Sequence, residues 1–186
     1  MNINNKSGIL TEAKQISSEN CDNRPVNESI RLIVVHNISL PPGEFGGPYI
    51  SQLFTNHLNK AEHPYFADIY QLKVSSHLLI RRDGEIIQYV PFHKRAWHAG
   101  ASSYCGSDSC NDFSVGIELE GTDDTPYEPV QYEKLANLIL ELRQSYPDID
   151  KDAITGHCDI APGRKTDPGP AFDWDHLHKL IIQQTD

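Results

Sequence analysis

The sequence predicts an α/β fold, a single domain in which α-helices flank a central mixed β-sheet. Three observations predict it. The length of 186 residues exceeds the ~150 residues of a typical domain by too little for a second one. Short apolar runs that are typical of strands alternate with longer segments whose apolar residues recur at helical spacing. The sequence contains no internal repeat and no low-complexity segment, so these elements are expected to form one layered core.

The first predicted strand lies at residues 31–35. Its sequence, Arg-Leu-Ile-Val-Val, is typical of a buried strand and places His36 at the carboxyl end. A polar residue at the end of a strand is typical of a functional site on an α/β scaffold. A loop rich in proline and glycine, residues 41–48, then leads into a short helical pattern at residues 50–57.

A β-hairpin and a third strand are predicted next. Residues 76–81 and 85–90 flank Asp83-Gly84, a dipeptide that favours a tight hairpin turn. The strand at residues 114–120 alternates, with Val115, Ile117 and Leu119 on one face and Gly116, Glu118 and Glu120 on the other. Two carboxylates therefore leave the sheet on the same side.

Two amphipathic helices complete the predicted fold. Apolar residues recur at helical spacing over residues 129–146, with Pro129 placed to begin the helix and Pro147 to end it. The second helix is indicated near the carboxyl terminus by Trp174, Leu177, Leu180 and Ile181.

The charge balance disfavours two classes of partner. The chain has 16 lysine and arginine residues against 26 aspartate and glutamate residues, so its formal net charge is −10. Such a surface repels nucleic-acid phosphates and anionic membranes. Neither nucleic acid nor a membrane is therefore an expected partner.

The first 28 residues indicate the compartment. They contain no apolar run longer than Gly8-Ile9-Leu10, so neither a secretory leader nor a membrane span is predicted. We therefore expect a cytoplasmic protein in which residues 1–28 form an N-terminal extension and residues 29–182 the domain. The four cysteines are expected to be reduced thiols in that compartment.

The segment 156–170 carries the most chemistry. It is rich in glycine and proline, which predicts a loop without helix or strand, and it contains His157, Lys165 and Asp167. Two histidines and a carboxylate are a known donor set for catalytic zinc, and His36 would complete the set with His157 and Asp167. Spacing alone does not establish a metal site, because His36 and His157 are separated by 157 − 36 = 121 positions.

Several motifs, taken together, resemble a known family. They are His36-Asn37 after the apolar strand, Arg-Ala-Trp-His-Ala-Gly at residues 95–100, Gly-Ile-Glu-Leu-Glu-Gly at residues 116–121, Gly156-His157, and Arg-Lys-Thr-Asp-Pro-Gly-Pro at residues 164–170. In this order they are similar to the zinc-dependent N-acetylmuramoyl-L-alanine amidases of type 2. That family also contains phage lysozyme-type amidases and peptidoglycan recognition proteins. The resemblance runs from about residue 31 to about residue 180 and implies the amidase-like α/β fold.

The resemblance implies one Zn²⁺ per chain, with His36, His157 and Asp167 as its ligands. It also implies that Glu118 handles the proton and that Lys165 stabilises the developing oxyanion. Zinc lowers the pKa of a bound water to about 7, so that a nearby carboxylate takes its proton as the attack proceeds. A cation fixed beside the carbonyl stabilises the tetrahedral anion more than the neutral ground state.

The carboxylate at Asp167, where several extracellular relatives have cysteine, agrees with the branch of the family that recycles wall fragments. The implied substrate is a soluble anhydromuropeptide, cut between the lactyl group of 1,6-anhydro-N-acetylmuramic acid and L-alanine of the stem peptide. Such an enzyme lowers the muropeptides that induce β-lactamase, and a monomer is expected. The implied substrate-binding residues are Asn37, Trp97, His98, Ala161 and Lys73.

The chain departs from the family pattern at two places. Ser76 stands where some relatives use a catalytic tyrosine, which leaves Glu118 as the better candidate for the base. Residues 104–110 offer serine and aspartate where enterobacterial relatives have an arginine for the diaminopimelate end of the peptide, and these side chains cannot make that bidentate contact.

Other interpretations of the same residues are an endolysin-type amidase that acts on polymeric peptidoglycan and a non-catalytic muropeptide sensor. The complete ligand set with Glu118 and Lys165 favours an enzyme, because a pure binder does not need them. The pair Glu118 and Glu120 also suggests a glycosidase, although anchoring of a loop is the favoured role for Glu120. Cys158 is expected to be an inert thiol.

Overall fold

The computed structural model describes residues 1–184, and within this range a mixed six-stranded β-sheet runs through the centre of the protein. Its order is β12-β5-β11-β6-β7-β3, and the four strands from β12 to β6 are parallel to their neighbours. β7 is antiparallel to β6, which makes the sheet mixed, as predicted. The strands of this sheet are β3 (Lys14–Gln15), β5 (Leu32–Ile38), β6 (Leu78–Ile80), β7 (Ile86–Gln88), β11 (Ser114–Glu120) and β12 (Ile154–Gly156).

Short strand pairs and helices surround this sheet. The paired strands are β1 (Ile3–Asn4) with β2 (Ile9–Leu10), β4 (Cys21–Asn23) with β8 (Lys94–Ala96), and β9 (Ser103–Tyr104) with β10 (Ser107–Asp108). The helices are α1 (Tyr49–Phe54), α2 (Phe66–Ile69), α3 (Pro129–Ser145), α4 (His157–Ile160), α5 (Trp174–Gln183) and a 3₁₀ helix (Cys110–Asp112). No helix within residues 1–184 is long and apolar enough to cross a lipid bilayer.

The two central strands position the site. β5 and β11 are parallel and pair in a register that sets Glu118 opposite His36. Paired residues of neighbouring strands project on the same face, so these two side chains lie side by side. Every residue of β11 is buried, because helices and loops cover both faces of the sheet.

Both predicted amphipathic helices and the predicted hairpin are present. α3 begins at Pro129, as expected, and the buried Gln131 side chain donates hydrogen bonds to the carbonyls of Ile80 and Glu120, which fastens the helix to two strand ends. α5 begins after Asp173, whose carboxylate accepts from the His176 amide at 2.9 Å. The two helices pack on each other and bury Leu138, Leu142 and Leu177 in the core.

Residues 1–28 pack on the rest of the protein. β3 adds to the edge of the central sheet beside β7, and β4 pairs with β8. Ile3 and Leu10 are buried in the main hydrophobic core. This segment, expected as an extension before the domain, therefore contributes an edge strand and core side chains. All four cysteines have free thiols.

The prediction that segment 156–170 contains neither helix nor strand was wrong at its beginning. Gly156 ends β12, which pairs with β5, and His157–Ile160 form the short helix α4. The Asp159 carboxylate accepts hydrogen bonds from the Gly156 amide and the Thr155 hydroxyl, both at 2.9 Å, and so closes this turn. Neither contact follows from the glycine and proline content on which the prediction rested.

Candidate metal centre and active site

Three side chains converge at the carboxyl ends of the parallel strands. His36 lies on β5, His157 is the first residue of α4, and Asp167 lies in the loop that follows. The Nδ1 atoms of the two histidines are 3.0 Å apart, and the Asp167 Oδ2 atom lies 3.1 Å from His36 Nδ1 and 3.0 Å from His157 Nδ1. We call His36, His157 and Asp167 the ligand cluster.

The order of the strands produces this cluster. β12 lies directly beside β5, with Gly156 paired to Val35. The next residues along the two strands, His157 and His36, are therefore neighbours. The Cys158 amide then donates to the Asp167 carbonyl at 2.9 Å, which folds the loop back onto the start of α4. The sheet thus joins two histidines that are far apart in sequence.

The atoms of the ligand cluster fit a zinc ion. Zinc binds nitrogen and oxygen ligands at about 2.0–2.2 Å in a tetrahedron, which sets the ligand atoms about 3.3 Å apart. The distances of 3.0–3.1 Å come close to that. The Nε2 atom of His157 donates to the Ala99 carbonyl at 3.2 Å, so Nδ1 is the ring nitrogen that faces the cluster. Within residues 1–184 these side chains form a group that is able to hold one metal ion.

Electrostatics favours the same interpretation. Burial lowers the pKa of the His36 ring to about 4, which keeps the ring neutral at physiological pH. Burial alone would raise the pKa of Asp167, but the close approach of the His157 and His36 rings outweighs it and holds that pKa well below its ordinary value. His36 therefore offers a neutral ring and Asp167 a carboxylate, the charge states in which these groups bind a metal cation.

Glu118 lies beside the ligand cluster with one oxygen unmatched. Its side chain is buried, and its Oε2 atom has no hydrogen-bond partner within residues 1–184. Burial, followed by the negative charge of Asp167, raises the pKa of the carboxyl group well above 4.5, although Lys165 offsets part of this rise. A carboxylate with a raised pKa and a free oxygen is suited to accept and return a proton.

These groups line one wall of a cavity of about 370 Å³. Lys165, Glu118 and the ligand cluster form its polar wall. The apolar part of the lining includes Leu40, Leu53, Phe54, Tyr65, Ile69, Leu72 and Val74. A site of this kind takes a ligand with one reactive polar group and a larger apolar or ring-shaped part.

Comparison with known proteins decides the family. The family model described as N-acetylmuramoyl-L-alanine amidase matches residues 26–170. The chain belongs to that family. The 1,6-anhydro-N-acetylmuramyl-L-alanine amidase AmpD of Escherichia coli (strain K12) is 59% identical over 178 residues, which cover 96% of this chain and 97% of the relative.

Solved structures agree with this assignment. The crystal structure of a selenomethionine derivative of AmpD matches with a TM-score of 0.94 and 57% identity, over 97% of this chain and 99% of that one. The amidase AmiD from E. coli, solved in complex with the substrate anhydro-N-acetylmuramic acid-L-Ala-D-gamma-Glu-L-Lys, matches with a TM-score of 0.59 and 29% identity, over 85% of this chain and 60% of that one.

In the amidase described here, most residues that the sequence suggested for substrate binding line the cavity. Trp97 and His98 both do so. Asn37 also lines it, but its amide donates to the Asp123 carboxylate at 2.8 Å and to the Pro168 carbonyl at 3.1 Å. Two suggested residues lie outside the lining. Lys73 is exposed, and Ala161 is buried where its carbonyl accepts from the amides of Arg164 and Lys165.

The apolar wall of the amidase cavity was missed from the sequence. Tyr65, Ile69 and Leu72 come from α2 and its flanks, and four helical residues are too few for a clear periodicity. The spacing of these apolar residues was the available signal. The favoured role of Glu120 agrees with the structure, because its carboxylate accepts from the Gly46 amide at 2.7 Å and pairs with Arg81 at 3.1 Å, which anchors the loop at residues 41–48.

Proposed function

We propose that the chain is a zinc-dependent 1,6-anhydro-N-acetylmuramoyl-L-alanine amidase of peptidoglycan recycling. It hydrolyses the amide bond between the lactyl group of 1,6-anhydro-N-acetylmuramic acid and L-alanine of the stem peptide. The observation that carries the proposal is the convergence of His36, His157 and Asp167 within 3.0–3.1 Å, next to the buried carboxyl group of Glu118. The substrate class is supported by the extent of the similarity to relatives named AmpD.

His36, His157 and Asp167 hold the metal, one Zn²⁺ per chain. Zinc bound there acts as a Lewis acid that polarises the scissile carbonyl and makes water a nucleophile near neutral pH. The protein contributes the fixed positions of the three ligand atoms and an open side that faces the cavity. The remaining steps belong to side chains of this chain.

Glu118 moves the proton. Its Oε2 atom has no partner among the described residues and its side chain lines the cavity, so it is free to take a proton from the attacking water. The raised pKa lets the same carboxyl group pass that proton to the leaving nitrogen of L-alanine. A carboxylate with an ordinary pKa would be a weaker base for the first step.

Lys165 stabilises the oxyanion that forms when the carbonyl becomes tetrahedral. It stands two positions before Asp167 in the loop, and its amide donates to the Ala161 carbonyl at 3.1 Å. The neighbouring Arg164 holds the loop to the carbonyls of Ala99 and Ala101 at 2.7 Å and 2.6 Å. A cation on a braced loop is preorganised for the transition state and costs little reorganisation there.

Substrate is bound by residues of the cavity lining and by one cation outside it. Asn37, Trp97 and His98 line the cavity, and Lys73 is an exposed cation further out. The overall charge of −10 repels an anionic muropeptide, so Lys165 and Lys73 supply the local attraction. The enzyme acts as a monomer in the cytoplasm on soluble anhydromuropeptides, and it thereby lowers the muropeptides that induce β-lactamase.

Two measurements test this function. The purified chain is expected to hold about one zinc ion and to cleave an anhydromuropeptide much faster than intact sacculus. Glu118→Gln should keep the zinc and lose ~10²- to 10⁴-fold in kcat, the range typical of general acid–base catalysis. Glu120→Gln is the matched control, since Glu120 lies on the same face of β11 but binds Arg81, and it should retain turnover.

Full activity in Glu118→Gln would exclude Glu118 as the base. Equal rates on sacculus and on anhydromuropeptide would instead assign a lysin.

A further inference from the structure

A chain of hydrogen bonds leads away from His36 on the side opposite the ligand cluster. The Nε2 atom of His36 lies 2.9 Å from Nδ1 of His98. The Nε2 atom of His98 lies 3.1 Å from the Ser114 hydroxyl, which is 2.6 Å from the Cys110 carbonyl. These four groups connect the first histidine of the ligand cluster to the backbone behind the sheet.

The far end of this chain sets the direction of each hydrogen bond. A carbonyl oxygen only accepts, so the Ser114 hydroxyl donates to Cys110. The serine oxygen then accepts from the Nε2–H of His98, which leaves a lone pair on His98 Nδ1. That lone pair accepts from the Nε2–H of His36, and the remaining lone pair of the His36 ring lies on Nδ1, which faces His157 and Asp167.

The ring of His98 is held in place from two sides. It lies against Gly116, where an added Cβ atom would approach its Cγ atom to 2.4 Å. The Asn111 side chain accepts from the amides of His98 at 3.1 Å and Ala99 at 2.8 Å. Glycine at position 116 is therefore required by the ring that packs over it.

We propose that His98 is a positioning residue which, through Ser114, holds the His36 ring in the tautomer and orientation that present Nδ1 to zinc. This inference rests on the proposed function, in which His36 is a zinc ligand. His98 then acts on the metal through His36, in addition to any contact with substrate. Groups that accept the second N–H of a ligand histidine typically affect metal affinity by about 10- to 100-fold.

A matched pair of variants tests the acceptor. In His98→Asn, the side-chain oxygen can occupy the position of Nδ1 and still accept from His36. In His98→Leu, the new side chain has nearly the shape of asparagine but no acceptor atom. Zinc affinity, measured by competition with a chelator, is expected to fall about 10- to 100-fold in His98→Leu and by much less in His98→Asn. Equal affinity in wild type and His98→Leu would overturn the inference, as would equal losses in both variants.

A second pair tests the role of Ser114. Ser114→Ala removes the acceptor for His98, and Ser76→Ala is its control, because Ser76 is equally buried and donates to the Gly116 carbonyl at 2.7 Å. Zinc affinity should fall in Ser114→Ala only. Ring ¹⁵N spectra of the zinc-loaded protein should show the hydrogen of His98 on Nε2, and finding it on Nδ1 would overturn the inference.

The outcomes separate this inference from the proposed function. If His36→Ala retains zinc affinity, the proposed ligand set fails. If His36→Ala loses zinc while His98→Leu only raises KM, His98 serves the substrate alone and the positioning role fails.

Discussion

Two buried polar clusters lie on the central sheet, and they are built in opposite ways. The ligand cluster, with Glu118 beside it, brings together acceptors: two ring nitrogens, the Asp167 carboxylate oxygen and a Glu118 oxygen that has no partner in the part of the chain that the structure describes. The other cluster surrounds Arg24, where the donors of one guanidinium are matched by backbone carbonyls. We call it the Arg24 clasp.

The Arg24 clasp closes on itself. The guanidinium donates to the carbonyls of Phe92, Asn111, Asp112 and Ser114 at distances of 2.8–3.3 Å. Burial lowers the pKa of Arg24 to about 10, so the group stays charged at neutral pH. It fastens the segment before β5 to the residues around β8 and β11.

The difference distinguishes a functional cluster from a structural one. Buried polar groups in a folded protein are normally paired, since an unpaired one costs about 1–3 kcal/mol. The Arg24 clasp follows this rule. The ligand cluster and Glu118 do not, and a bound cation together with a proton on Glu118 would pair their free acceptor atoms. The following predictions test whether the first cluster serves catalysis and the second stability.

The largest expected effect comes from removing a ligand. His157→Ala takes away one of the three convergent atoms, so we expect zinc to be lost and turnover to fall by more than the 10- to 100-fold typical of a residue that only supports a ligand. Zinc should raise the Tm of wild type but not that of the variant. Metal analysis and thermal unfolding with and without zinc check this, and a variant that keeps one zinc would remove His157 from the ligand cluster.

Breaking the Arg24 clasp should lower the stability of the protein and leave zinc binding unchanged. Arg24→Met leaves several buried carbonyls without a donor, and we expect a loss of roughly 2–5 kcal/mol in the free energy of unfolding. Denaturant unfolding of the metal-free protein measures it. The folded variant should bind zinc as wild type does, and Arg24→Lys should fall between the two because an ammonium cannot reach every carbonyl. Loss of zinc binding in folded Arg24→Met would show that the two clusters are coupled.

The sequence predicts elements better than it predicts these clusters. The strand at residues 114–120 and the helix that begins at Pro129 are found as predicted, because alternation and helical periodicity are local properties. The pairing of His36 with Glu118 depends on the register of β5 against β11, and the approach of His157 depends on β12 lying beside β5. Both are long-range properties, so the residues themselves left the metal site open and only the resemblance to the family indicated it.

The Arg24 clasp had no sequence signal. Its acceptors are backbone carbonyls, which any residue type provides. The strands β1 and β3 had no sequence signal either, because two residues are too few to show alternation. The anchoring role of Glu120 was favoured because a lysine and two candidate ligand histidines made a glycosidase pair less suitable, and the structure supplies Arg81 as its partner.

A smaller effect concerns His77, which lies between the two clusters. Burial, followed by the positive charge of Arg24, lowers its pKa from 6.5 to about 3. Between these pH values the unfolded state binds the proton and the folded state does not, so the stabilising contribution is complete above pH 6.5 and is lost as the pH falls toward 3. His77→Gln should therefore reduce the slope of unfolding free energy against pH, by up to ~1.4 kcal/mol per pH unit. Unfolding of the metal-free protein at pH 5.0–6.5, a range chosen within that window, measures the slope, and an unchanged slope would contradict the assignment.

The smallest expected effect comes from removing a tyrosine hydroxyl, one near each cluster. Tyr127 donates to the Pro168 carbonyl at 2.7 Å, directly after Asp167, whereas the buried Tyr146 hydroxyl beside Arg24 has no partner between residues 1 and 184. Tyr127→Phe should cost about 1 kcal/mol in the free energy of unfolding, and Tyr146→Phe less than about 0.5 kcal/mol, because only the first removes a hydrogen bond. Both variants delete the same atom, so denaturant unfolding compares them directly. Equal losses would mean that the Tyr146 hydroxyl is paired after all.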